Sequence, residues 1–253
     1  MNITFLGTGT SQGVPLIACS CKICTSVNAR DNRLRTSAMV EVNGKIIVID
    51  SGPDFRQQML RENVKRLDAL IFTHSHKDHI AGLDDIRAFN YISGQVIDVY
   101  ADENVQRAIH REFPYIFDEF KYPGVPEINL FPIGNEPFVA GGEAIIPIEV
   151  LHYKMPVKGF RIGDFTYITD ANFISDTERE KIKGSKVLVL NALRKEKHLS
   201  HFSLQEAIDL ARELEVPNTY LTHISHQLGL HEEVEATLPE GVHLAYDGLQ
   251  VKI

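Results

Sequence analysis

Directly after the apolar run Ala69–Phe72 the chain reads Thr73-His74-Ser75-His76-Lys77-Asp78-His79, placing three imidazoles and a carboxylate within six residues. Imidazole nitrogens and carboxylate oxygens are the donors that a borderline-soft divalent ion takes. If the backbone is still extended as it leaves the strand, side chains two apart share a face, so His74 and His76 grip one ion. Asp78 and His79, past the bend, turn toward a second. The cluster therefore demands a fold in which a buried strand ends at a metal pocket. A polar loop that merely happens to be histidine-rich is the rival reading, and it leaves the spacing unexplained.

The 253 residues carry 26 basic and 34 acidic side chains, a formal net charge of −8, and 43% are hydrophobic. This length supports a sizeable core, in one large domain or two small ones. The acidic balance argues against nucleic acid as a partner, since such proteins show a basic patch. The opening Met1-Asn2-Ile3-Thr4-Phe5-Leu6-Gly7 lacks the basic, apolar pattern of a secretory leader. Ile46–Ile49, Ala69–Phe72 and Val187–Leu190, the longest apolar runs, have strand length and fall well short of the ~20 residues that span a bilayer. A soluble, cytoplasmic protein without membrane contact is expected.

Short β-type runs alternate with helical patterns. Asn43-Gly44, between Thr36–Val42 and Lys45–Asp50, is the strongest short hairpin signal in the chain. Further strands are expected at Ile3–Leu6, Ala69–Phe72, Val96–Tyr100, Ile128–Ile133, Ala144–His152, Lys158–Ile162, Phe165–Thr169, Val187–Leu190, Asn218–Thr222, Val242–Tyr246 and Gln250–Ile253. Helices are expected over Phe55–Asn63, Val105–Glu112 and Leu204–Leu214, the last opened by Ser203 and Glu206 at capping-box spacing. Apolar strands covered by helices imply a layered α/β body. Two of those strands end in Thr-His, at Thr73-His74 and Thr222-His223, which hints at two similar halves. No linker-like composition divides the chain, so residues 1–253 read as one domain.

Other features point less sharply. Phe113, Tyr115, Phe117, Phe120 and Tyr122 crowd one segment, and residues 113–127 read as either a lid or an interface. Aromatics dominate cores and interfaces, which favours packing or contact in a homodimer, the commonest symmetric assembly. Gly7-x-Gly9-x-x-x-Gly13 lacks the lysine of a phosphate loop and the spacing of a dinucleotide fingerprint, leaving a turn beside the metal pocket as its role. Cys19, Cys21 and Cys24 form C-x-C-x-x-C in a loop over residues 15–30. In a reducing compartment that clustering favours zinc over a disulfide, although a redox role stays open. Three thiolates need a fourth ligand, and His226, close to the second Thr-His, is a candidate.

The H-x-H-x-D-H run resembles the shared motif of the metallo-β-lactamase superfamily, whose fold is an α/β, four-layer αββα sandwich. Further matches follow in order along nearly the whole chain. Asp50, ending Lys45–Ile49, corresponds to the family's first-motif aspartate, which supports the metal loop. His152 corresponds to the third-motif ligand, Asp170 to the bridging carboxylate and His223 to the last ligand. The resemblance implies a dinuclear centre, with His74, His76 and His152 on one divalent ion. Asp78, His79 and His223 hold the other, and Asp170 is shared. Taken alone, each match has a plainer reading: a turn residue for Asp50, a half-buried strand histidine for His152, a helix-opening residue for Asp170.

Within the superfamily the chain resembles the PhnP-type cyclic phosphodiesterases of the carbon–phosphorus lyase pathway, which bind an extra zinc through three N-terminal cysteines and a histidine. That implies a structural zinc on Cys19, Cys21, Cys24 and His226. Phe5–Pro15 and Leu221-Thr222-His223-Ile224-Ser225-His226 match that subfamily as well. A further catalytic histidine of the family falls at His201, just before the capped helix, where unpaired backbone amides favour a phosphate.

The activity expected is hydrolysis of a small or cyclic phosphate ester by a metal-bridging hydroxide, with manganese or zinc as the catalytic ions. Asp78, His201 and Asp50 are the expected catalytic residues, His201 assisting the leaving group. Two divalent ions, two aspartates and a hydroxide leave the pocket at about +1 inside an acidic protein, which selects a small anionic substrate. Ribonuclease Z shares the catalytic residues, but no basic arm for RNA is visible here. A non-catalytic zinc-binding module is the alternative from another class, and it gives no reason for so full a ligand set.

Overall fold

Strands β3 (Lys45–Ile49), β4 (Ala69–Ile71) and, further on, β12 (Val187–Asn191) are apolar on both faces, as central strands covered on each side must be. The computed structural model, which describes residues 1–253, explains this by layering. One sheet has seven strands. It runs in the order β15 (Gln250–Lys252), β1 (Asn2–Gly7), β2 (Ser37–Val42), β3, β4, β5 (Ile97–Ala101), β6 (Ile128–Pro132). The other has eight strands. Its path is β11 (Phe173–Ile174), β8 (Glu143–His152), β9 (Met155–Ile162), β10 (Phe165–Tyr167), β12, β13 (Asn218–Thr222) and β14 (Val242–Leu244), with β7 (Phe138–Ala140) paired to β8.

Side-chain alternation sorts the core into three zones. Ile47, Ile49, Ala69, Ile71, Phe160, Tyr167, Val187 and Val189 meet between the sheets. Val48, Leu70 and Phe72 face outward and pack against α1 (Phe55–Arg61), α3 (Arg87–Ser93) and α4 (Glu103–Glu112). Leu188, Leu190 and Leu221 face outward on the other side, beneath α5 (Asp176–Ile182) and α6 (Leu204–Glu213). The result is the expected αββα sandwich. Each outer layer buries a helix stripe, and the middle layer is sheet against sheet.

Local signals behave as their chemistry requires. Asn43 and Gly44 both adopt positive φ, 49° and 72°, as a type I′ hairpin demands. Ser203 and Glu206 cap each other's backbone at the start of α6. The aromatic segment divides: Phe113 and Ile116 are buried under the first sheet's outer layer, whereas Phe120 and Tyr122 are exposed. No helix is long and apolar enough to cross a membrane.

The chain's two ends close against each other, and a buried polar group locks them. The Arg33 guanidinium donates to Thr8 Oγ1 at 2.8 Å, to the Ala245 carbonyl at 2.6 Å and to His231 Nδ1 at 3.1 Å. Asp31 accepts the His231 amide at 2.7 Å and the Ser26 hydroxyl at 2.5 Å, joining the cysteine loop to α7 (His231–Glu235). His231 must stay neutral to accept from Arg33, and burial together with that cation pushes it down to about 4. The unfolded imidazole, near 6.5, takes its proton first as pH falls. Stability carried by this contact is therefore complete above pH 6.5 and is lost toward pH 4, by up to about 1.4 kcal/mol per pH unit. Urea titrations between pH 7 and 4.5 should show this slope in the wild type and a shallower one in His231→Gln; equal slopes would refute the assignment.

Candidate metal centre

All of the histidines and aspartates singled out around the H-x-H-x-D-H run meet at the ends of strands from both sheets. β4 ends at Phe72, and α2 (Lys77–Ile80) begins with His76 as its extended N-cap. His74 and His76 thus precede the helix, and Asp78 and His79 lie in its first turn. Two glycines hold this turn against the Asp50 loop. A Cβ on Gly52 would sit 2.0 Å from the Asp78 carbonyl, and one on Gly82 would sit 2.1 Å from that of Gly52. Only glycine permits the approach, which lets the Ser51 amide donate to His79 and the Gly82 amide to Ser51, both at 2.8 Å.

Hydrogen bonds set which ring nitrogen of each histidine is free. Asp50 is fully buried; it accepts the Thr73 amide and hydroxyl, each at 2.8 Å, and His79 Nδ1 at 2.7 Å. With its hydroxyl proton given to Asp50, Thr73 accepts from His74 Nδ1 at 3.0 Å. The Ser200 carbonyl accepts from His152 Nδ1 at 2.9 Å. His74, His79 and His152 therefore all have Nδ1 engaged by an acceptor and leave Nε2 as the ligand atom, the arrangement of metal-ligating imidazoles whose far nitrogen is held by an acceptor.

The free atoms converge. His79 Nε2 lies 3.2 Å from Asp78 Oδ2 and 3.3 Å from Asp170 Oδ2. His223 Nε2 lies 3.1 Å from Asp170 Oδ1 and 3.8 Å from Asp78 Oδ2. His74 Nε2 and His76 Nδ1 are 3.0 Å apart, and the His152 ring stands 5.2 Å from His76 and 5.8 Å from His74. Donors on one tetrahedral ion with bonds of about 2.0–2.1 Å are about 3.3 Å apart, so these separations suit a shared cation. His79 Nε2 and both nitrogens of His223 are buried without a hydrogen-bond partner. Such orphaned atoms are costly in an apolar interior, and a cation between them would satisfy them. Asp170 adjoins both groups, one with His74 and His79, the other with His152 and His201.

Electrostatics follow from burial and from the mixture of charges. For His79, burial disfavours the cation, but Asp50, Asp78 and Asp170 outweigh it and raise its pKa well above the ordinary value. Burial works against ionised Asp170 too, yet His223 and His79 hold it well below the carboxylate range. His74, with burial and the neighbouring His79 charge acting together, is pushed well below its usual value. His201 Nε2 lies 3.1 Å from Asp170 Oδ1, and burial outweighs that bond to bring it down to about 4. Backbone conformation is strained at the same positions: Asp50, Asp170 and His223 have φ of 65°, 55° and 56°, where side chains other than glycine are uncommon.

Several supporting groups carried no local signal. The side-chain amide of Asn191, at the end of β12, bonds Ala171 in both directions at 2.7 and 2.9 Å and so fixes the Asp170 turn. Ser200 holds His152 through its carbonyl, which no side-chain pattern announces. Thr73 was visible as half of a repeated Thr-His ending, but only its contact with Asp50 explains it; Thr222 instead bonds Thr36 at 2.9 Å. The glycine-rich opening packs beside this pocket: Thr8 accepts the Ile224 amide at 2.9 Å, next to His223.

A second cluster lies apart from the first. Cys19, Cys21 and Cys24 Sγ stand 3.4, 3.4 and 3.5 Å from His226 Nδ1. That matches the roughly 3.5 Å sulfur–nitrogen edge of a tetrahedral zinc. The Cys24 amide and then His226 stabilise the Cys21 thiolate, lowering its pKa to about 6, whereas burial raises Cys24 to about 11. In chelator-stripped protein at pH 7, a thiol reagent should label Cys21 first and Cys24 last, as mapped by mass spectrometry, and zinc should protect all three. Equal labelling rates with and without zinc would count against this cluster as a metal site.

Residues 45–224 match the family model described as a beta-lactamase superfamily domain. The chain is similar to a solved diphosphatase of the PhnP family, with 40% identity and a TM-score of 0.93, covering 100% of this chain and 97% of that one. It is 38% identical over 256 residues to a Porphyromonas gingivalis octanoyltransferase, covering 100% of this chain and 52% of the relative. A Prochlorococcus marinus ribonuclease Z is 27% identical over 169 residues, 65% of this chain and 50% of that protein. The chain thus spans about half the length of these curated relatives.

Proposed function

The chain belongs to the PhnP family of the metallo-β-lactamase superfamily, and from that membership we propose that it is a metal-dependent phosphodiesterase cleaving a small or cyclic phosphate ester at a dinuclear centre. The observation that carries this reading is the set of inward-facing Nε2 atoms on His74, His79 and His152, each freed by an acceptor on its Nδ1. In this reading His74, His76 and His152 hold one divalent ion, and Asp78, His79 and His223 hold the other, with Asp170 between them. Manganese and zinc both suit these donors. Such ions, when bound, supply Lewis acidity toward the phosphoryl group and lower the pKa of water.

The protein's own contribution is orientation and proton transfer. Asp50 keeps His79 in one tautomer and one orientation. His201 lies beside Asp170 and just ahead of α6, whose first amides favour an anion. An anionic substrate beside His201 raises its pKa from the low value that burial imposes. The imidazole then takes up a proton with the substrate and yields it to the leaving oxygen. Cys19, Cys21, Cys24 and His226 hold a structural zinc that pins loop 15–30 next to the His223 segment. The net charge of −8 around a locally positive pocket favours a compact anion over a long polyanion.

Likeness to the PhnP-family diphosphatase favours a phosphoanhydride as a second substrate class, since the same groups serve either leaving oxygen. Metal analysis should find about three ions per chain, one of the catalytic pair being lost in Asp78→Ala together with activity. His201→Ala should keep its ions and lose about 10²–10⁴-fold in kcat on a cyclic ribose phosphate. Inertness of the metal-loaded protein toward every phosphodiester and diphosphate, coupled with cleavage of lactones or thioesters, would overturn the reaction class.

A further inference from the structure

The loop between β12 and α6, residues 192–203, is strapped onto the Asp170 turn. The Phe202 amide donates to the Ala171 carbonyl at 2.7 Å, and the Leu193 amide donates to the Phe202 carbonyl at 3.1 Å. Ser200 works in two directions there. Its carbonyl holds His152 Nδ1, and its hydroxyl lies 3.0 Å from His201 Nδ1. A second group faces the same His201 nitrogen: His198 Nδ1, at 3.2 Å, with the two rings tilted by 52°. Nothing in the chemistry proposed above uses His198.

Two ring nitrogens at that distance share one proton, and the backbone decides which of them carries it. The Ser200 amide, which can only donate, points at His198 Nδ1 from 3.3 Å. The Ser200 hydroxyl also lies 3.3 Å from that atom. His198 Nδ1 is therefore an acceptor, its own ring proton sits on Nε2, and the shared proton belongs to His201 Nδ1. Burial and then the Arg194 charge lower the pKa of His198, which keeps the ring neutral and able to accept. With Nδ1 of His201 committed to this bond, Nε2 is the nitrogen left for proton exchange. It faces Asp170 Oδ1 at 3.1 Å, on the side of the metal centre.

Resting on the phosphodiesterase reading above, we propose that His198 is a positioning residue that fixes the tautomer and orientation of His201, so that the transferable proton lies on Nε2. The Ser200 hydroxyl assists but does not decide, since a hydroxyl can either donate or accept. The step is a single proton transfer. The His201 Nε2–H bond breaks as the O–H bond of the leaving group forms, and the imidazolium becomes a neutral ring that keeps its proton on Nδ1. An orienting partner on the far nitrogen of an acid–base imidazole holds the productive tautomer in the same way in a catalytic triad. Here the partner is uncharged, so its loss costs about tenfold, the worth of one hydrogen bond, rather than the whole contribution of the acid.

Two substrates separate this role from a structural one. A cyclic ribose phosphate expels an alkoxide that needs a proton, whereas bis(p-nitrophenyl) phosphate expels a stable phenolate. In the manganese-loaded protein, His198→Leu should lower the ratio of kcat on the cyclic ester to kcat on the nitrophenyl ester about tenfold. KM for the cyclic ester should stay near the wild-type value. His198→Asn should restore the ratio, because its amide oxygen can accept where Nδ1 stood. Added to His201→Ala, His198→Leu should cost nothing further. Equal losses on both esters, an unchanged ratio, no rescue by His198→Asn, or a further loss in the absence of His201 would each overturn the proposal. Hydrolysis of neither ester by the wild type would instead sink the phosphodiesterase reading. The tautomers are read without turnover, by ring-nitrogen NMR of the zinc-loaded protein. His201 should carry Nδ1–H and His198 Nε2–H, and in His198→Leu the His201 ring should become a mixture of tautomers. Any other pair of tautomers in the wild type overturns the proposal whatever the activity.

Discussion

Asp50 is withdrawn from water between Thr73 and His79, and its charge is met by a backbone amide, a hydroxyl and an imidazole N–H. An isolated carboxylate could not occupy that position; the desolvation cost would exceed anything packing returns. Once it is satisfied, one side chain sets the tautomer of His79 directly and that of His74 through Thr73. Each of those two rings then has Nε2, rather than Nδ1, as its ligand atom for the pocket. The donor arrangement of the centre thus depends on a group that itself stays on the far side of the rings. The close approach of Gly52 and Gly82 serves the same end, since it keeps the Asp50 loop and the first turn of α2 in register.

Such a centre requires a scaffold that does not yield. Strained backbone at Asp50, Asp170 and His223 persists only where the surroundings over-determine it. Here each strained residue follows a strand buried on both faces, between a sheet-on-sheet core and an outer helical layer. The N-terminal region adds a second restraint. Thr8 and Gly9 lie against Ile224, beside His223, while Arg33 draws Thr8, Ala245 and His231 together in a buried polar knot. The cysteine loop hangs from that knot through Ser26 and Asp31. Position at the centre is accordingly shared between a dry apolar sandwich and a few fully bonded polar groups.

Elements with a strong period were legible in advance. The expected strand Asn218–Thr222 coincides with β13, the Asn43-Gly44 hairpin has the required φ angles, and α6 starts at its capping box. The elements that were not foreseen lack such a pattern. α5 buries only Ile182, and α3 buries Phe89 while Tyr91 and Ile92 stay exposed, so neither shows an apolar stripe. β7 and β11 are three and two residues long and exist only because β8 offers them an edge. The first turn of α2 is read in sequence as a bend, since its donor residues are not helix formers; Gly52 and Gly82 make the helix possible from outside it.

By itself the sequence determined the chemistry on offer: which residues carry nitrogen, oxygen and sulfur donors, that two Thr-His pairs end apolar strands, and that three thiols lack a fourth partner. These are local facts, because donor type and strand alternation are encoded residue by residue. Only the tertiary structure decided the geometry. It set Thr73 and Ser200 as the acceptors that free Nε2 of His74 and His152, put Asp170 between two groups of histidines, and brought His226 to within 3.5 Å of three cysteines about two hundred residues away. Contacts of that kind join segments far apart in the chain, and they form only once two sheets have packed face to face and fixed where their strands end.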